Sequence, residues 1–179
     1  MKNIFLLGEC MIELMNTSAH NMKQSFAGDV FNTAVYLKRT FTDVNVHFVT
    51  AVGKDQFSLD MIKYFERENI GINFVFGSAN KIPGLYSIQL DDKGERSFTY
   101  WRENSAATEV MSHISDSIVS QLTKGDLFYF SGISIAVIKP EYRLSFWQMV
   151  AKLKLSGVSI AFDPNYRSRM WDNPEQAKA

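Results

Sequence analysis

The sequence predicts an α/β fold in which helices flank a parallel central sheet and a small antiparallel sheet projects from it. Apolar runs of strand length alternate with segments whose apolar residues recur at helical spacing, which is typical of parallel sheets. The alternation breaks once, where the runs LYSIQL and ERSFTYW flank the turn DDKG, which is too short for a crossover helix. With 179 residues, 46% of them apolar, the chain has the length and composition of one domain with a sizeable core.

The elements of the first half follow from apolar periodicity and from turn residues. Gly28 and Asp29 are a candidate N-cap pair for the first helix, and Gly94 of the DDKG turn needs a positive φ. In chain order the predicted elements are strands at 3–8 and 10–15 with a turn at 16–20, a helix within 25–41, a strand at 44–53, a helix within 54–69 with Phe57, Met61, Ile62 and Phe65 on one face, a strand at 72–76, and the hairpin at 85–101.

The second half returns to alternation. It predicts a helix at 112–124, a strand at 126–132, a helix that opens at Pro140 and is closed by Gly157, and a buried strand at 158–163. The last residues, NPEQAKA, resemble the start of a further helix capped at Asn173.

The chain has no net charge that would attract a highly charged partner. Nineteen basic and nineteen acidic side chains cancel, so nothing draws the chain to nucleic acid or to an anionic membrane, and any bound anion needs local groups. The N-terminal apolar stretch is interrupted by Glu9 and Glu13, and no run has membrane-spanning length, so we expect a cytoplasmic protein. Cys10 has no disulfide partner and is expected to be buried, and the scattered histidines predict no metal site.

Ligands of open α/β sheets bind beyond the carboxyl ends of the strands, which makes the residues just after each strand the candidates. The first cluster is AGDVFN, where Gly28 lets backbone approach a ligand and Asn32 lies one turn into the helix. Plain helix capping is the alternative interpretation. Neither a phosphate loop nor a dinucleotide fingerprint is present in the sequence.

The second cluster lies on the hairpin. Period-two alternation places Arg96, Phe98, Tyr100 and Arg102 on one face, and Tyr86, Ile88 and Leu90 share a face across the turn. Phenols that donate to hydroxyls and a guanidinium that binds a carboxylate suit a cover over a small polyol acid. The alternative is an exposed hairpin whose aromatic side chains simply pair across the strands.

The third cluster is FDPNYRSRMW (162–171). Because Asp163, Asn165 and Arg167 follow a strand that is predicted to be buried, they need polar partners. Arg167 is suited to a carboxylate or a phosphate and Asn165 to a hydroxyl or phosphate oxygen, while Asp163 is placed to orient the arginine. The alternative is an internal salt bridge between Asp163 and Arg167.

These segments together resemble a known family. GECMIEL, FAGDVFNTAVYL, VTAVGKDQFS, PGLYSIQLDDKGERSFTYWRENSAA, FSGIS and FDPNYRSRMW occur in the order seen in the ribokinase-like (PfkB) carbohydrate kinases, and the likeness is greatest to members that phosphorylate 2-keto-3-deoxygluconate. The resemblance implies a Rossmann-like ribokinase fold with a β-sheet lid, here at about 10–15 and 82–102. It also implies transfer of the ATP γ-phosphoryl group to a sugar hydroxyl with Mg²⁺.

The resemblance also implies roles for residues at matching positions. The implied contacts to the sugar acid are Gly28, Asn32, Tyr86, Tyr100, Arg102 and Arg167, and those bordering the nucleotide phosphates are Asn165, Tyr166 and Arg167. Ala27 replaces a glycine that is common in the family, but the implied contact falls on Gly28. In relatives of this family the lid sheet can pair between subunits, which makes a homo-oligomer an expectation.

The family's GAGD motif, which carries the catalytic base, does not occur in this sequence. We therefore expect residues 1–179 to be the N-terminal portion of one ribokinase-like domain, with the rest of the fold and the base beyond Ala179, and we assign no catalytic residue, including Asp163. By this interpretation the 179-residue chain alone is inactive. Two alternatives stay open: a noncatalytic sugar-acid binding module, and a PfkB kinase for another sugar such as fructose.

Overall fold

The computed structural model describes residues 1–18, 20–91, 93–171 and 173–177. The strands of this described part are β1 (Lys2–Leu7), β2 (Met11–Ser18), β3 (Asn21–Ala27), β4 (Val44–Val52), β5 (Val75–Gly77), β6 (Leu85–Leu90), β7 (Arg96–Trp101), β8 (Leu127–Ser131) and β9 (Ser159–Asp163). The helices are α1 (Asp29–Thr40), α2 (Gln56–Arg67), α3 (Asp116–Leu122), α4 (Gly132–Val137) and α5 (Pro140–Leu155), with 3₁₀ turns at Ala106–His113 and Ser168–Met170. None of the helices in these ranges is long and apolar enough to cross a membrane.

The central sheet has the strand order β5-β4-β1-β8-β9, and all four pairings are parallel. One of its faces packs against α1 and α2 around Phe31, Phe48 and Phe65, which are fully buried. The other face packs against α3, α5 and the first 3₁₀ turn around Leu122 and Phe146. Helices on both faces of a parallel sheet confirm the predicted α/β fold.

A second sheet, the lid sheet, has the order β3-β2-β6-β7. Gly94 has the positive φ predicted for the hairpin turn, whose Asp92 lies outside the described residues. The lid sheet is mixed rather than purely antiparallel, because β2 pairs with β6 in parallel while β2–β3 and β6–β7 are antiparallel. The unpredicted β3 is an edge strand whose first four residues are exposed, so no apolar alternation marks it.

Two local predictions are corrected by the structure, which also contains one helix that the sequence did not predict. Phe57 is exposed at the start of α2, and Ser58 is buried in its place with its hydroxyl on the Asp55 side chain. β5 is shorter than predicted, with three residues in the ladder. The six-residue α4, which was not predicted, begins at a reciprocal capping box between Ser131 and Ser134.

β9 is not buried, contrary to the prediction for 158–163. Among the described residues it pairs with β8 alone, at the edge of the sheet, and Phe162 is 50% exposed. Near the chain end, Asn173 Oδ1 accepts from the Gln176 backbone N–H, as in the predicted cap, while residues 178 and 179 of that segment lie outside the described residues.

The environment of His47 predicts that stability falls in mild acid. Its ring stacks on Phe5 with ring centres 5.1 Å apart, and burial lowers the pKa of His47. The unfolded chain binds the proton more readily than the folded chain, so stability should be complete above pH ~6.5 and decline below it. Urea denaturation at several pH values measures this.

The control separates His47 from other titrating groups. Replacing His47 by Phe should flatten the acid side of the stability curve, whereas His20→Asn, at an exposed turn, should leave it unchanged. Equal losses of stability between pH 8 and pH 5.5 in wild type and His47→Phe would contradict this origin.

Candidate substrate-binding cleft

A cleft of about 1200 Å³ separates the lid from the central sheet. The exposed face and exit of β7 form one wall, and α4 with the loop after β9 forms the other. Of the residues that the sequence predicted for a site, those lining the cleft are Tyr100, Arg102, Tyr166 and Arg167. The hairpin and the FDPNYRSRMW segment therefore meet, although more than sixty residues separate them in the sequence.

The charge of the cleft is strongly positive. The basic side chains among its lining residues are Arg96, Arg102, Lys139, Arg167 and Arg169. Glu103 is the one acidic side chain that lines the cleft in the described part of the chain. Glu109, next to the cleft, pairs with Lys139 at 2.5 Å, and Glu9 pairs with Arg102, which leaves three arginines without a salt bridge among the described residues to set the field. A concave surface with this charge is suited to an anionic ligand.

Arg102 is held at the hinge of the lid, directly after β7. Its Nη2 forms an ion pair with Glu9, and the Glu9 side chain is 1% exposed. Its Nη1 lies 3.9 Å from Met170 Sδ on the opposite wall, and its Nε is buried with no hydrogen-bond partner among the described residues. The guanidinium is thus anchored by Glu9 on one side, and Nη1, whose contact with Met170 Sδ is weak, is its nitrogen on the cleft side.

Glu9 is the residue that sequence reasoning missed. It was noted only as an interruption of an apolar run, and a charged residue directly after a buried strand was the available signal. The Ser105 hydroxyl donates to Glu9 Oε1 at 2.6 Å. Burial raises the pKa of the Glu9 carboxyl above its ordinary value, and the Arg102 guanidinium and the Ser105 hydroxyl oppose that rise.

Tyr86 supports the cleft wall without lining it. Its hydroxyl donates to Glu13, whose other carboxylate oxygen accepts from Ser25 Oγ at 2.6 Å. Burial and this bond to Glu13 raise the pKa of Tyr86. Its ring stacks on Tyr100 with centres 5.6 Å apart, so the cross-strand aromatic pairing considered as the alternative does occur. The same register places Tyr100, which is 49% exposed, in the cleft.

Gly28 and Asn32 lie on α1, away from the residues that line the cleft. Gly28 is the N-cap, and an ideal Cβ on it would stand 2.1 Å from the Glu9 carbonyl oxygen. Asn32 is exposed and lines a separate shallow groove on the outer side of α1. The predicted capping role of Asp29 is wrong, because its carboxylate instead accepts from Ser131 Oγ at 2.5 Å and from Asn165 Nδ2 at 3.1 Å.

The loop after β9 has a different internal order from the predicted one. Asp163 forms no salt bridge with Arg167 within the described ranges, and its Oδ1 accepts from the Asn165 backbone N–H at 3.1 Å. Asn165 adopts a positive φ of 31° and turns its amide toward Asp29. Tyr166 and Arg167 are consequently exposed at the cleft. Arg167 is exposed to water and forms no salt bridge among the described residues.

Comparison with known proteins now identifies the family. The sequence matches the pfkB family carbohydrate kinases over residues 1–179. The chain belongs to the PfkB family. Membership confirms the resemblance seen in the ordered motifs from GECMIEL to FDPNYRSRMW.

The sequence identity differs between individual relatives in the PfkB family. The chain is 40% identical over 181 residues to a 2-dehydro-3-deoxygluconokinase of Haemophilus influenzae, covering 99% of this chain and 58% of the relative. It is 27% identical over 179 residues to a fructokinase of Vibrio alginolyticus, covering 100% of this chain and 56% of that protein. The chain spans less than two thirds of the length of either relative.

A solved PfkB structure has the same fold. The crystal structure of a PfkB protein from Polaromonas sp. JS666 superimposes with a TM-score of 0.87 at 21% identity, covering 99% of this chain and 60% of that one. The predicted ribokinase-like architecture, with a parallel sheet and a lid, is thereby confirmed.

The tight contact at Gly28 leads to a stability prediction. A methyl group at this position meets the backbone of Glu9, so Gly28→Ala should lower the free energy of unfolding by about 1–3 kcal/mol, the cost of overpacking. Chemical denaturation measures the loss. Gly77→Ala is the matched control, since its Cβ would meet only the end of the Lys54 side chain, at 3.9 Å. Equal stability of the two variants would contradict the close approach at Gly28.

Proposed function

We propose that this chain is the substrate-recognition portion of a kinase that uses ATP to phosphorylate 2-keto-3-deoxy-D-gluconate to 2-keto-3-deoxy-6-phosphogluconate. The compound is also called 2-dehydro-3-deoxygluconate, the name carried by the relative that shares 40% identity. The lower identity of 27% to a fructokinase favours the sugar acid over fructose.

The observation that carries the proposal is the positive cleft with Arg102 at its edge. A keto acid differs from a neutral sugar by its carboxylate, and that group needs cationic partners. Arg102 lines the cleft beside Tyr100, with its Nη1 directed toward Met170, and Arg167 lines the opposite wall. In the proposal these three side chains bind the sugar acid. Gly28, Asn32 and Tyr86 stay predicted contacts only, because none of them lines the cleft.

The loop after β9 is the proposed border with the nucleotide. Tyr166 and Arg167 line the cleft, Asn165 precedes them with its amide on Asp29, and an arginine in the cleft is suited to phosphate oxygens. ATP supplies the transferred phosphoryl group, and Mg²⁺ neutralises charge on its phosphates. No group of three or more His, Cys, Asp or Glu side chains in the described ranges could hold a metal. Mg²⁺ would enter with the nucleotide and would neutralise charge on its phosphates.

The proposal assigns no catalytic base to residues 1–179. Asp163 is engaged by the Asn165 backbone, and Asp29 is engaged by Ser131 and Asn165. These residues would form the N-terminal portion of one domain, with the base supplied by the remainder of the enzyme, in a cytoplasmic protein. The exposed β7 at the edge of the lid sheet is the surface through which a homo-oligomer would form.

Arg102→Ala tests the carboxylate contact. In the enzyme expressed from the complete gene, the change should lower kcat/KM for the keto acid by an amount equivalent to about 1.5–3 kcal/mol, the scale of a lost hydrogen bond to a charged group. A coupled kinase assay measures it, with circular dichroism to check folding. Arg39→Ala removes an exposed arginine paired with Glu68 and serves as the control. Unchanged kinetics in Arg102→Ala would remove this residue from the site.

The substrate assignment is tested in the same assay with keto acid, fructose and ribose. We expect the keto acid to be clearly preferred, because neutral sugars leave the arginines of the cleft without a partner. A clear preference for fructose or ribose would sink the proposed function.

A noncatalytic sugar-acid binding module is the alternative function. Calorimetry on the 179-residue chain tests it. Micromolar keto-acid binding, combined with a natural protein of this mass and no ATP turnover, would favour a binding module over a kinase.

A further inference from the structure

Every crossing of the chain between the central sheet and the lid sheet passes Glu9 in the described part of the molecule. Glu9 itself lies in the link from β1 to β2. The chain leaves β3 through Gly28, enters β6 through Gly84, and leaves β7 through Arg102 and Ser105.

Each of these crossings contacts Glu9. The ideal Cβ position of Gly28 is 2.1 Å from the Glu9 carbonyl oxygen, and that of Gly84 is 2.7 Å from Glu9 Oε1. The Ser105 hydroxyl donates to the same Oε1 at 2.6 Å, and Arg102 pairs with Oε2. With a side chain that is 1% exposed, Glu9 has almost no contact with water.

Stability alone is a weak reason for such an ion pair. Removing two charges from water costs about as much as their attraction returns, and apolar residues of similar volume often serve equally well. A guanidinium, however, is rigid and planar, so holding one of its nitrogen atoms restricts the directions that the others can take. The contact of Nη2 with Glu9 therefore restricts where Nη1 of Arg102, its nitrogen on the cleft side, points.

We infer that Glu9 is a positioning residue that locks the lid hinges together and orients the Arg102 guanidinium to receive the carboxylate of the substrate. Ser105 assists by holding the Glu9 carboxylate from its other oxygen. This inference rests on the proposed function. It assigns a recognition role to a side chain that does not line the cleft.

A double-mutant cycle in the complete enzyme tests the inference. Glu9→Gln keeps the shape but not the charge, and it should raise KM for the keto acid about tenfold or more while KM for ATP stays constant. In an Arg102→Ala background the same change should have no further effect on KM for the keto acid, because the group that it orients is gone. A merely structural role of Glu9 would lower stability and activity in both backgrounds alike.

Ser105→Ala is the second variant, in case Glu9→Gln does not fold. It leaves both charges in place and removes only the hydroxyl bond, so KM for the keto acid should rise about threefold with Arg102 present and not at all without it. Glu68→Gln breaks another Arg–Glu pair, which lies on the outside of the protein, and is the matched control expected to behave as wild type.

The outcomes separate the two proposals. If wild type uses the keto acid and Arg102→Ala loses it, but the Glu9 and Ser105 variants leave KM unchanged or raise it equally in both backgrounds, the positioning role is overturned and the proposed function stands. If wild type does not use the keto acid, both fall.

Discussion

The ion pair between Glu9 and Arg102 is the interaction on which the relation of lid to sheet depends. The Glu9 carboxylate is withdrawn from water and an unpaired charge in that place would be costly, so Glu9 and the partly exposed Arg102 constrain each other strongly. Gly28 and Gly84 follow from this constraint, since larger side chains would displace Glu9. The orientation of the lid sheet relative to the central sheet is therefore fixed by this ion pair as well as by the close packing of the backbone at Gly28 and Gly84.

A second set of polar contacts fixes the wall of the cleft opposite the lid sheet, which is formed by α4 and the loop after β9. Ser134 Oγ donates to the carbonyl of Leu7 at 2.7 Å, Ser131 donates to Asp29, and Asn165 donates to the same carboxylate. These bonds join the carboxyl ends of β1 and β8, the start of α1 and the loop after β9. Arg167 then stands on an anchored loop even though β9 is an edge strand. Because polar contacts hold both the Glu9–Arg102 junction and the opposite wall, the cleft is preorganised for its ligand.

Local patterns predicted what depends on neighbours in sequence. Apolar periodicity indicated the central sheet and its helices, and hairpin alternation placed Tyr100 and Arg102 on the cleft face. The role of Glu9 was not predictable in this way, because its partner Ser105 lies 96 residues further along the chain. Asp29 likewise has the sequence of a helix cap, but its carboxylate serves Ser131 and Asn165. Polar contacts between residues far apart in the sequence produce no periodic pattern that could predict them. The junction at Glu9 and the wall opposite the lid sheet are both held by such contacts.

Local charge placement also explains how a chain with no net charge can favour an anion. Arg102 is partly neutralised by Glu9, and Lys139 is partly neutralised by Glu109. These two cations therefore add little to the positive electrostatic potential of the cleft. Arg96, Arg167 and Arg169 line the same cleft, and none forms a salt bridge among the described residues. Their field attracts an anion, while the oriented guanidinium of Arg102 selects a carboxylate at one point of the wall. Different residues thus attract the anion and select the carboxylate. Arg102 makes the selection, and the buried Glu9 restricts the direction of its guanidinium.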